Sequence, residues 1–432
     1  MRFQASDVAA ATGGTLFGPD VELDGVSFDS RSLRPGQLFV AIVADRDGHE
    51  FIPGALAAGA GAYVTQREPG SGTAIVVADT VTALGDLGRW GRSRLHGHVV
   101  GVTGSVGKTS TKDLARAALG AGLRTFANEK SFNNDQGLPV TILTAPDDTE
   151  VLVLEMGMRG FGEIARLCAV GRPTIGVVTR VAAAHTERVG GIEGVARAKA
   201  ELIQALPADG IAVLNADDKR VVAMGALAAG RVLTYGCAAD ADVRVVDLYL
   251  DDLARPQFTV ASPWGTVEVS LGVSGEHMAM NAAAALAVAG ACGVDLAAAA
   301  HALGNAGMSP WRMEIGRTAS GAVLINDAYN ANPASMRAAL ETLARMHVNG
   351  RRVAVLGVMA ELADPVADHT GIAELARRSG IEIIAVGTDL YGLPPTEDPV
   401  GALGSLAGND AVLVKGSRVA GLERVAQLLL GE

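Results

Sequence analysis

The sequence lacks most features of secreted, membrane-spanning or nucleic-acid-binding proteins. Its 432 residues include only three cysteines, which are isolated and have no metal-ligand spacing: Cys168, Cys237 and Cys292. This pattern is typical of reduced thiols in a cytoplasmic protein. No apolar run reaches the roughly 18 residues needed to cross a bilayer, and the first residues predict a helix and no signal peptide. Because the net charge is −11, we expect no nucleic-acid partner, which would normally need a basic face.

Hydrophobic residues are abundant, at 49%, and the chain exceeds the roughly 250–300 residues that one core usually serves. We therefore expect several domains. Residues 1–97 contain short strand-like runs and end in a polar, basic segment, 92–97, that predicts a linker. Residues 98–308 alternate strand and helix, which indicates a parallel sheet covered by helices. A second alternating pattern over 309–432 predicts a smaller, Rossmann-like α/β domain.

The segment 101–110, Gly-Val-Thr-Gly-Ser-Val-Gly-Lys-Thr-Ser, is the strongest functional signal. It lies between a predicted strand and a predicted helix, where backbone N–H groups and the helix dipole favour a phosphate. Lys108 adds a positive charge, and the hydroxyl of Thr109 is suited to Mg²⁺. The general phosphate-loop pattern places its first glycine at 102, which is Val102 here, so an ordinary glycine-rich turn is the alternative. The nucleotide-binding residues that this segment predicts are Thr103, Gly104, Ser105, Gly107, Lys108, Thr109 and Ser110.

Two candidate metal ligands follow neighbouring predicted strands. Glu155 ends the apolar run Val151–Glu155, and His185 follows the strand 174–179. Ligands of open α/β sheets bind at the carboxyl ends of strands, so both side chains are expected near the phosphate loop. The alternatives are a carboxylate that caps the following loop and a hydrogen-bonded structural histidine.

Lys199 lies in a predicted helix, where a solvated lysine is the ordinary interpretation. An unmodified lysine does not ligate a metal, because losing its proton at pH 7 costs about 4–5 kcal/mol. Three polar segments at strand ends predict binding of polar or anionic groups: 132–139, 326–333 and Lys415-Gly416-Ser417-Arg418. Their alternatives are Asx turns and a plain basic turn.

Together these motifs resemble the Mur ligase family, the ATP-dependent amide-forming enzymes of peptidoglycan assembly. The family's phosphate loop, T-G-x-x-G-K-[ST], matches 103–109 and explains the displaced glycine. Asp29-Ser30-Arg31 and Asp47-Gly48-His49 are similar to the family's UDP-binding motifs. Further matches are Asn133-Asn134-Asp135-Gln136-Gly137-Leu138-Pro139, Ala182-Ala183-Ala184-His185, Tyr329-Asn330-Ala331-Asn332-Pro333 and Lys415-Gly416-Ser417-Arg418. The D-N-P-R motif of the member that adds the third peptide residue is absent from the sequence.

The resemblance implies a three-domain fold, with a UDP-sugar-binding domain (1–97), a central P-loop ATP-binding domain (98–308) and a C-terminal ligase domain (309–432). It implies one Mg²⁺ on Thr109 and Glu155, and a second on His185 and a carbamylated Lys199. ATP contacts are implied for Asn281, Arg312 and Asp327. Substrate contacts are implied for Ser30, Arg31, Asn133, Asn134, Asn330, Lys415, Ser417 and Arg418. One position departs from the family: Val358 stands where an aspartate is usual, in the loop 357–362.

The implied reaction is ATP-dependent ligation of D-alanyl-D-alanine to a UDP-N-acetylmuramoyl tripeptide through an acyl phosphate, carried out by a cytoplasmic monomer. Lys108, Glu155, His185 and Lys199 would carry the catalysis. A ligase of the same family that adds a different amino acid is the nearest alternative. A nucleotide-dependent switch is the alternative from another class, but it would not need the complete set of metal-ligand candidates.

Overall fold

A computed structural model describes residues 1–44, 46–128, 132–182 and 189–431. The N-terminal part is built on short strands and three helices: β1 (Arg2–Gln4), α1 (Ala5–Thr12), β2 (Thr15–Phe17), β3 (Glu22–Asp24), β4 (Val26–Ser27), β5 (Leu38–Val40), α2 (Ile52–Ala57), β6 (Ala62–Thr65), β7 (Ala74–Val76) and α3 (Thr80–Arg94). Its five-stranded sheet has the order β2-β7-β6-β5-β4, and β1 pairs with β3.

The central part contains one large sheet with helices on its faces. Its elements are β8 (His98–Thr103), α4 (Lys108–Gly120), β9 (Thr125–Ala127), α5 (Gly137–Thr144), β10 (Val151–Glu155), α6 (Glu163–Gly171), β11 (Ile175–Val178), α7 (Ile192–Gln204), β12 (Ile211–Asn215), α8 (Lys219–Ala223), β13 (Arg231–Gly236), β14 (Val243–Leu250), β15 (Pro256–Ser262), β16 (Gly265–Ser270), α9 (His277–Ala291) and α10 (Leu296–Gly304). The sheet order is β16-β15-β14-β13-β12-β11-β8-β10-β9. Strands β8 to β14 are parallel to one another, and β15 and β16 extend the sheet as antiparallel strands.

Parallel pairing brings the chemically important strand ends to one edge of this sheet. Glu155 of β10 pairs with Val102 of β8, and Val178 of β11 pairs with Thr103. The alanine-rich helix α9 is almost completely buried, and α4 packs closely against it. Small side chains allow this close approach. The helix that follows the phosphate loop is therefore packed between α9 and the sheet.

The C-terminal part repeats the α/β pattern on a smaller scale. It contains β17 (Glu314–Arg317), β18 (Val323–Asn326), α11 (Pro333–Arg345), β19 (Arg352–Leu356), α12 (Pro365–Arg378), β20 (Glu382–Ala385), α13 (Pro399–Leu403), β21 (Ala411–Lys415) and α14 (Glu423–Leu430). The sheet order is β17-β18-β21-β19-β20, parallel except for the edge strand β17.

This architecture confirms the expected α/β fold with a parallel central sheet and a C-terminal α/β unit. The segment 92–97 is only partly the linker that its polarity predicts. Helix α3 continues to Arg94 and packs against α5 and α6, and Nε of Arg92 donates a 3.0 Å hydrogen bond to the carbonyl of Gly171. The boundaries 97/98 and 308/309 stay predictions. No helix within the described residues is both long and apolar enough to cross a membrane.

Candidate functional site

The phosphate loop connects the end of β8 to the start of α4. Gly104 and Gly107 have φ angles of 152° and 82°. A Cβ at Gly107 would lie 2.7 Å from Oδ1 of Asn281, and one at Gly104 would collide with the hydroxyl of Thr179. Glycine is therefore required at both positions. Because the first N–H groups of a helix have no partners within it, the start of α4 offers donors to an anion.

Lys108 is the cation of this loop. Its Nζ donates a 2.7 Å hydrogen bond to the carbonyl of Gly104. Burial lowers the pKa of Lys108; the negative charge of Glu155 raises it, and the positive charge of Arg312 lowers it further. A bound polyanion would stabilise the protonated amine of Lys108 and offset its repulsion from Arg312. The electrostatics of the loop therefore favour a phosphate ligand.

Glu155 is the buried acid of the site, with 1% of its surface exposed. Its Oε2 accepts a 2.8 Å hydrogen bond from the hydroxyl of Thr109, and Oε1 accepts one of 2.8 Å from Nδ2 of Asn133. Both of these partners are neutral side chains. The alternative interpretation, that the carboxylate of Glu155 caps the loop after β10, does not match these contacts, because both partners belong to other segments. Instead Asn134 makes the Asx turn, because its Oδ1 accepts hydrogen bonds from the N–H groups of Gln136 and Gly137.

The donor set at Thr109 and Glu155 fits a magnesium ion. Hydroxyl and carboxylate oxygens are hard ligands, and Mg²⁺ commonly combines one or two carboxylates with the phosphates of a bound nucleotide. No group of three His, Cys, Asp or Glu side chains able to hold a metal occurs within the described part of the chain. A magnesium ion held by Thr109 and Glu155 would complete its coordination with water and with the phosphates of a bound nucleotide.

Lys199 of α7 lines the same cavity and is buried, with 3% of its surface exposed. The interpretation as a solvated lysine is therefore wrong. Burial, and secondly the charge of Lys108, lowers the pKa of Lys199 well below its ordinary value. A lowered pKa favours the neutral form of the amine, which is the nucleophilic form, relative to an exposed lysine. His185, the other candidate ligand, lies outside the described residues.

Arg312 approaches the nucleotide side of the cavity from the C-terminal part. Its guanidinium lies over the ring of Tyr329, 4.1 Å from the ring centroid, and its Nε has no hydrogen-bond partner among the described residues. The flanking residues Trp311 and Met313 adopt positive φ angles of 61° and 51°. Such backbone strain, about 1–3 kcal/mol per residue, persists only where surrounding contacts enforce it. The N–H of Met313 donates to Oδ1 of Asp327 at 3.1 Å, which is one such contact.

Lys415 was expected to contact substrate, but its ammonium group is already engaged inside the C-terminal part. It donates to Oδ2 of Asp327 at 2.5 Å and to the carbonyls of Asn330 at 2.8 Å and Asp327 at 3.4 Å. Burial lowers the pKa of Lys415, and Asp327 opposes that effect. The ion pair holds the loop that follows β18, so the structure gives Lys415 a supporting position. Its contact with substrate stays a prediction.

The loop 357–360, where Val358 replaces the usual aspartate, is attached to the Lys-Gly-Ser-Arg segment through its backbone. The N–H of Ala360 donates to Oγ of Ser417 at 2.8 Å, and the N–H of Ser417 donates to the carbonyl of Val358 at 2.9 Å. Arg418 lies over the ring of Trp311 and pairs with Glu423 at 2.7 Å. The missing aspartate therefore does not prevent this loop from positioning Ser417.

These groups surround one cavity of about 900 Å³ between the central and C-terminal parts. Most of the predicted site residues line it: Gly104, Ser105, Gly107, Lys108, Thr109, Ser110, Asn133, Asn134, Glu155, Lys199, Asn281, Arg312, Asp327, Asn330, Lys415, Ser417 and Arg418. Thr103 does not line the cavity, since its hydroxyl is buried and donates to the carbonyl of Met156 at 2.9 Å.

Ser30 and Arg31 lie on the N-terminal part and are not among the residues that line the cavity. Arg31 forms a two-point ion pair with Asp29, with nitrogen–oxygen distances of 2.9 and 2.8 Å, and its side chain is 87% exposed. In the same part, Nδ1 of the buried His49 lies 2.6 Å from Oδ1 of Asp47, and Nε2 accepts a hydrogen bond from the N–H of Gln66. These contacts order a polar surface that is separate from the nucleotide cavity.

Sequence reasoning missed His277 and Asp217, which also line the cavity. His277 begins α9, one helical turn before Asn281, and this spacing places both on one helix face. Burial lowers the pKa of His277, and the charge of Asp327 partly offsets that effect. The carboxylate of Asp217 accepts hydrogen bonds from the N–H groups of Cys237 and Ala238. The available signal was the segment Asn215-Ala216-Asp217-Asp218, which begins at the last residue of β12.

The fold and the site define a P-loop nucleotide-binding α/β protein whose cavity is completed by a C-terminal Rossmann-like unit. Residues 102–289 match the Mur ligase middle domain, and residues 311–418 match the Mur ligase glutamate ligase domain. The chain belongs to the Mur ligase family.

Relatives and solved structures agree with this membership. The chain is 37% identical to the UDP-N-acetylmuramoyl-tripeptide–D-alanyl-D-alanine ligase of Mycobacterium tuberculosis (strain ATCC 25618 / H37Rv), covering 94% of this chain and 92% of that relative. It is 36% identical to the ligase of the same name from Escherichia coli (strain K12), covering 96% of each. A crystal structure of MurF from Acinetobacter baumannii superposes with a TM-score of 0.86 at 28% identity, covering 100% and 99% of the two chains. MurF ligase from Thermotoga maritima in complex with ADP gives 0.82 at 28% identity, covering 94% and 97%.

Proposed function

We propose that this protein ligates D-alanyl-D-alanine to a UDP-N-acetylmuramoyl tripeptide at the expense of ATP. The observation that carries the proposal is the single cavity in which the phosphate loop, Glu155 and Lys199 meet Arg312 and Ser417 of the C-terminal part. The relatives from M. tuberculosis and E. coli are named for this activity and are similar over more than nine-tenths of the chain. The ADP-bound relative supports a nucleotide at the loop.

In this proposal each of the three parts of the chain binds one substrate. Residues 1–97 would hold the UDP-sugar, with Ser30 and Arg31 on its polar face. Residues 98–308 would hold ATP, and residues 309–432 would present the dipeptide near Asn330, Ser417 and Arg418. Asn133 and Asn134 lie beside Glu155, where amide groups could contact the peptide carboxylate that reacts.

The first chemical step would be attack of the terminal carboxylate of the tripeptide on the γ-phosphorus of ATP. The bond between the γ-phosphorus and the bridging oxygen breaks, and ADP leaves. Lys108 and Arg312 would offset the charge on the transferring phosphoryl group, which is where catalysis of this reaction type mainly lies. The product is an acyl phosphate that remains between the central and C-terminal parts.

In the second step the amino group of D-alanyl-D-alanine attacks the acyl carbon. A tetrahedral intermediate forms, the attacking nitrogen loses a proton to solvent, the carbon–oxygen bond to phosphate breaks, and phosphate leaves with the amide complete. Ser417 would be positioned for the dipeptide by the loop 357–360.

Two magnesium sites are part of the proposal. Thr109 and Glu155 would hold one ion, and His185 with a carbamylated Lys199 would hold the other. Magnesium at these positions would neutralise charge on the phosphates. The neutral amine of Lys199 is the form that adds to CO₂, giving a carbamate and releasing one proton, and the carbamate supplies the anionic oxygens that a lysine lacks. We further propose that the enzyme acts as a cytoplasmic monomer.

The direct test is phosphate release by the purified chain with ATP, Mg²⁺ and UDP-N-acetylmuramoyl tripeptide, with and without D-alanyl-D-alanine. We expect dipeptide-dependent release and a pentapeptide product detected by mass spectrometry. L-alanyl-L-alanine is the matched control and should give far less product. Absence of a dipeptide-dependent signal and of pentapeptide would refute the proposal.

A further inference from the structure

Helix α4 carries a buried ion pair on residues that do not face the nucleotide cavity. Nζ of Lys112 lies 3.0 Å from Oδ1 of Asp113, and the two residues are 0% and 4% exposed. A buried ion pair is costly unless further hydrogen bonds satisfy both groups. Neither side chain lines the cavity, so the pair has no direct role in the reaction proposed above.

The further hydrogen bonds of this pair go to two other segments of the chain. Nζ of Lys112 donates to the carbonyl of Asn128 at 2.6 Å. Oδ2 of Asp113 accepts a hydrogen bond of 2.8 Å from the backbone N–H of Ser309. One helical turn further along α4, Arg116 donates to the carbonyl of Gly307 at 3.4 Å. The helix that begins at the phosphate loop is therefore also attached to the segment 305–313, which joins α10 to β17.

This connecting segment leads directly to Arg312. Only two residues separate Ser309 from Arg312, and both residues that flank Arg312 have positive φ angles. The short connection and its constrained backbone favour a coupling between the position of Ser309 and that of Arg312. Arg312 in turn lies close enough to Lys108 for its charge to lower the pKa of that lysine.

We propose that Asp113 is a positioning residue that couples the phosphate-loop helix to the connecting segment and so sets the position of Arg312 over the nucleotide. Its carboxylate supplies the acceptor for the N–H of Ser309, and Lys112 compensates its buried charge. The N-terminal end of α4 binds the phosphates, while its middle fixes the start of the C-terminal part. The inference rests on the proposed function only for its activity measurements.

The test compares two double variants that share a neutral, similarly sized pair of side chains. K112M/D113N keeps an acceptor for the N–H of Ser309, whereas K112M/D113L has none. Removing both charges together avoids leaving one buried charge unpaired, which would confuse a folding defect with a positioning defect. Thermal unfolding of both variants measures any difference in stability that remains.

Hydrogen–deuterium exchange of the peptide covering 305–312 provides a measurement that needs no substrate. We expect exchange at Ser309 to be about 10-fold faster in K112M/D113L than in K112M/D113N, because its N–H has lost its acceptor. In the ligase assay, kcat/KM for ATP should fall ~10-fold or more between the same two variants, with KM for the UDP-tripeptide nearly unchanged.

The same comparison in an R312Q background separates positioning from general stability. With Arg312 absent, the change from Asn to Leu at 113 should alter kcat/KM by less than about 3-fold, because the two sites are coupled. An equal loss in both backgrounds, or equal exchange rates in the two double variants, would overturn the inference. Failure of the proposed function is distinguishable, since it would appear as a lack of dipeptide-dependent product in the unmodified chain.

Discussion

The hydroxyl of Thr109 donates a 2.8 Å hydrogen bond to Oε2 of Glu155, although 46 positions separate the two residues. They meet because β8 and β10 are parallel neighbours, so the loop after β8 and the last residue of β10 share one edge of the sheet. The carboxylate is buried with only neutral hydrogen-bond partners among the described residues. This contact therefore joins the phosphate-binding start of α4 to a carboxylate that is suited to bind a cation.

Replacing Glu155 with glutamine should abolish most activity and leave the fold intact. The amide oxygen of glutamine still accepts the hydrogen bond from Thr109, but the charge that attracts Mg²⁺ is lost. We expect kcat/KM to fall ~100-fold or more and the Mg²⁺ concentration needed for half-maximal rate to rise. The measurement is phosphate release across a Mg²⁺ titration. Near-normal activity at low Mg²⁺ would contradict the role of Glu155.

Replacing Gly107 with alanine should weaken nucleotide binding and destabilise the loop. The new Cβ would lie 2.7 Å from Oδ1 of Asn281, at a φ of 82° that alanine adopts only under strain. A free-energy cost of roughly 1–2 kcal/mol is expected at such a position. The matched control is Gly120→Ala at the exposed end of α4, where nothing lies within 4 Å of the added Cβ. Calorimetric titration with ADP should show weaker binding for G107A alone.

The sequence predicted the local features of the site well and its long-range contacts poorly. The phosphate loop and Glu155 were predictable, because strand–turn–helix patterns are local and a parallel sheet brings strand ends together. Lys415 shows the limit: its segment predicted binding of an anionic ligand, but its ammonium group donates hydrogen bonds to Asp327 and Asn330. The contact of Asp113 with Ser309 spans 196 positions and depends on how two sheets are placed, which no local pattern encodes.

The proposed carbamate on Lys199 predicts a dependence on CO₂. Burial lowers the pKa of Lys199, so a larger fraction of its amine is neutral and able to react with CO₂ than in an exposed lysine. Incubation with ¹³C-labelled bicarbonate should produce a carbamate resonance in carbon NMR that is absent from K199A. Short carboxylates should partly restore the lost activity of K199A. As a control, K219A removes an exposed lysine at the start of α8 and should leave the resonance unchanged.

His369 of α12 stabilises the loop 357–360 through a side-chain hydrogen bond. Its Nε2 accepts a 2.9 Å hydrogen bond from the N–H of Met359, and its Nδ1 lies 2.6 Å from the carbonyl of Pro365. The ring also packs edge-on against Tyr391, whose hydroxyl donates to the carbonyl of Gly357. This arrangement requires a neutral imidazole that carries its proton on Nδ1. Burial lowers the pKa of His369, and the carbonyl of Pro365 and the charge of Asp368 only partly oppose this effect.

The lowered pKa of His369 predicts a loss of stability in mild acid. Above the unfolded value of about 6.5, the imidazole is neutral in both states and its full contribution is present. As pH falls below that value, the unfolded chain takes up a proton that the native chain resists, so the free energy of unfolding decreases by up to about 1.4 kcal/mol per pH unit.

Replacing His369 with glutamine keeps an acceptor for the N–H of Met359 but removes this titration. Urea unfolding at pH 7.5 and 5.5 should therefore show a smaller decrease for H369Q than for the parent, whereas H301Q, at an exposed position on α10, should match the parent. His277, whose pKa is also lowered, is present in all three proteins and cancels in the comparison. Equal decreases for H369Q and the parent would show that His369 does not hold its loop through a neutral ring.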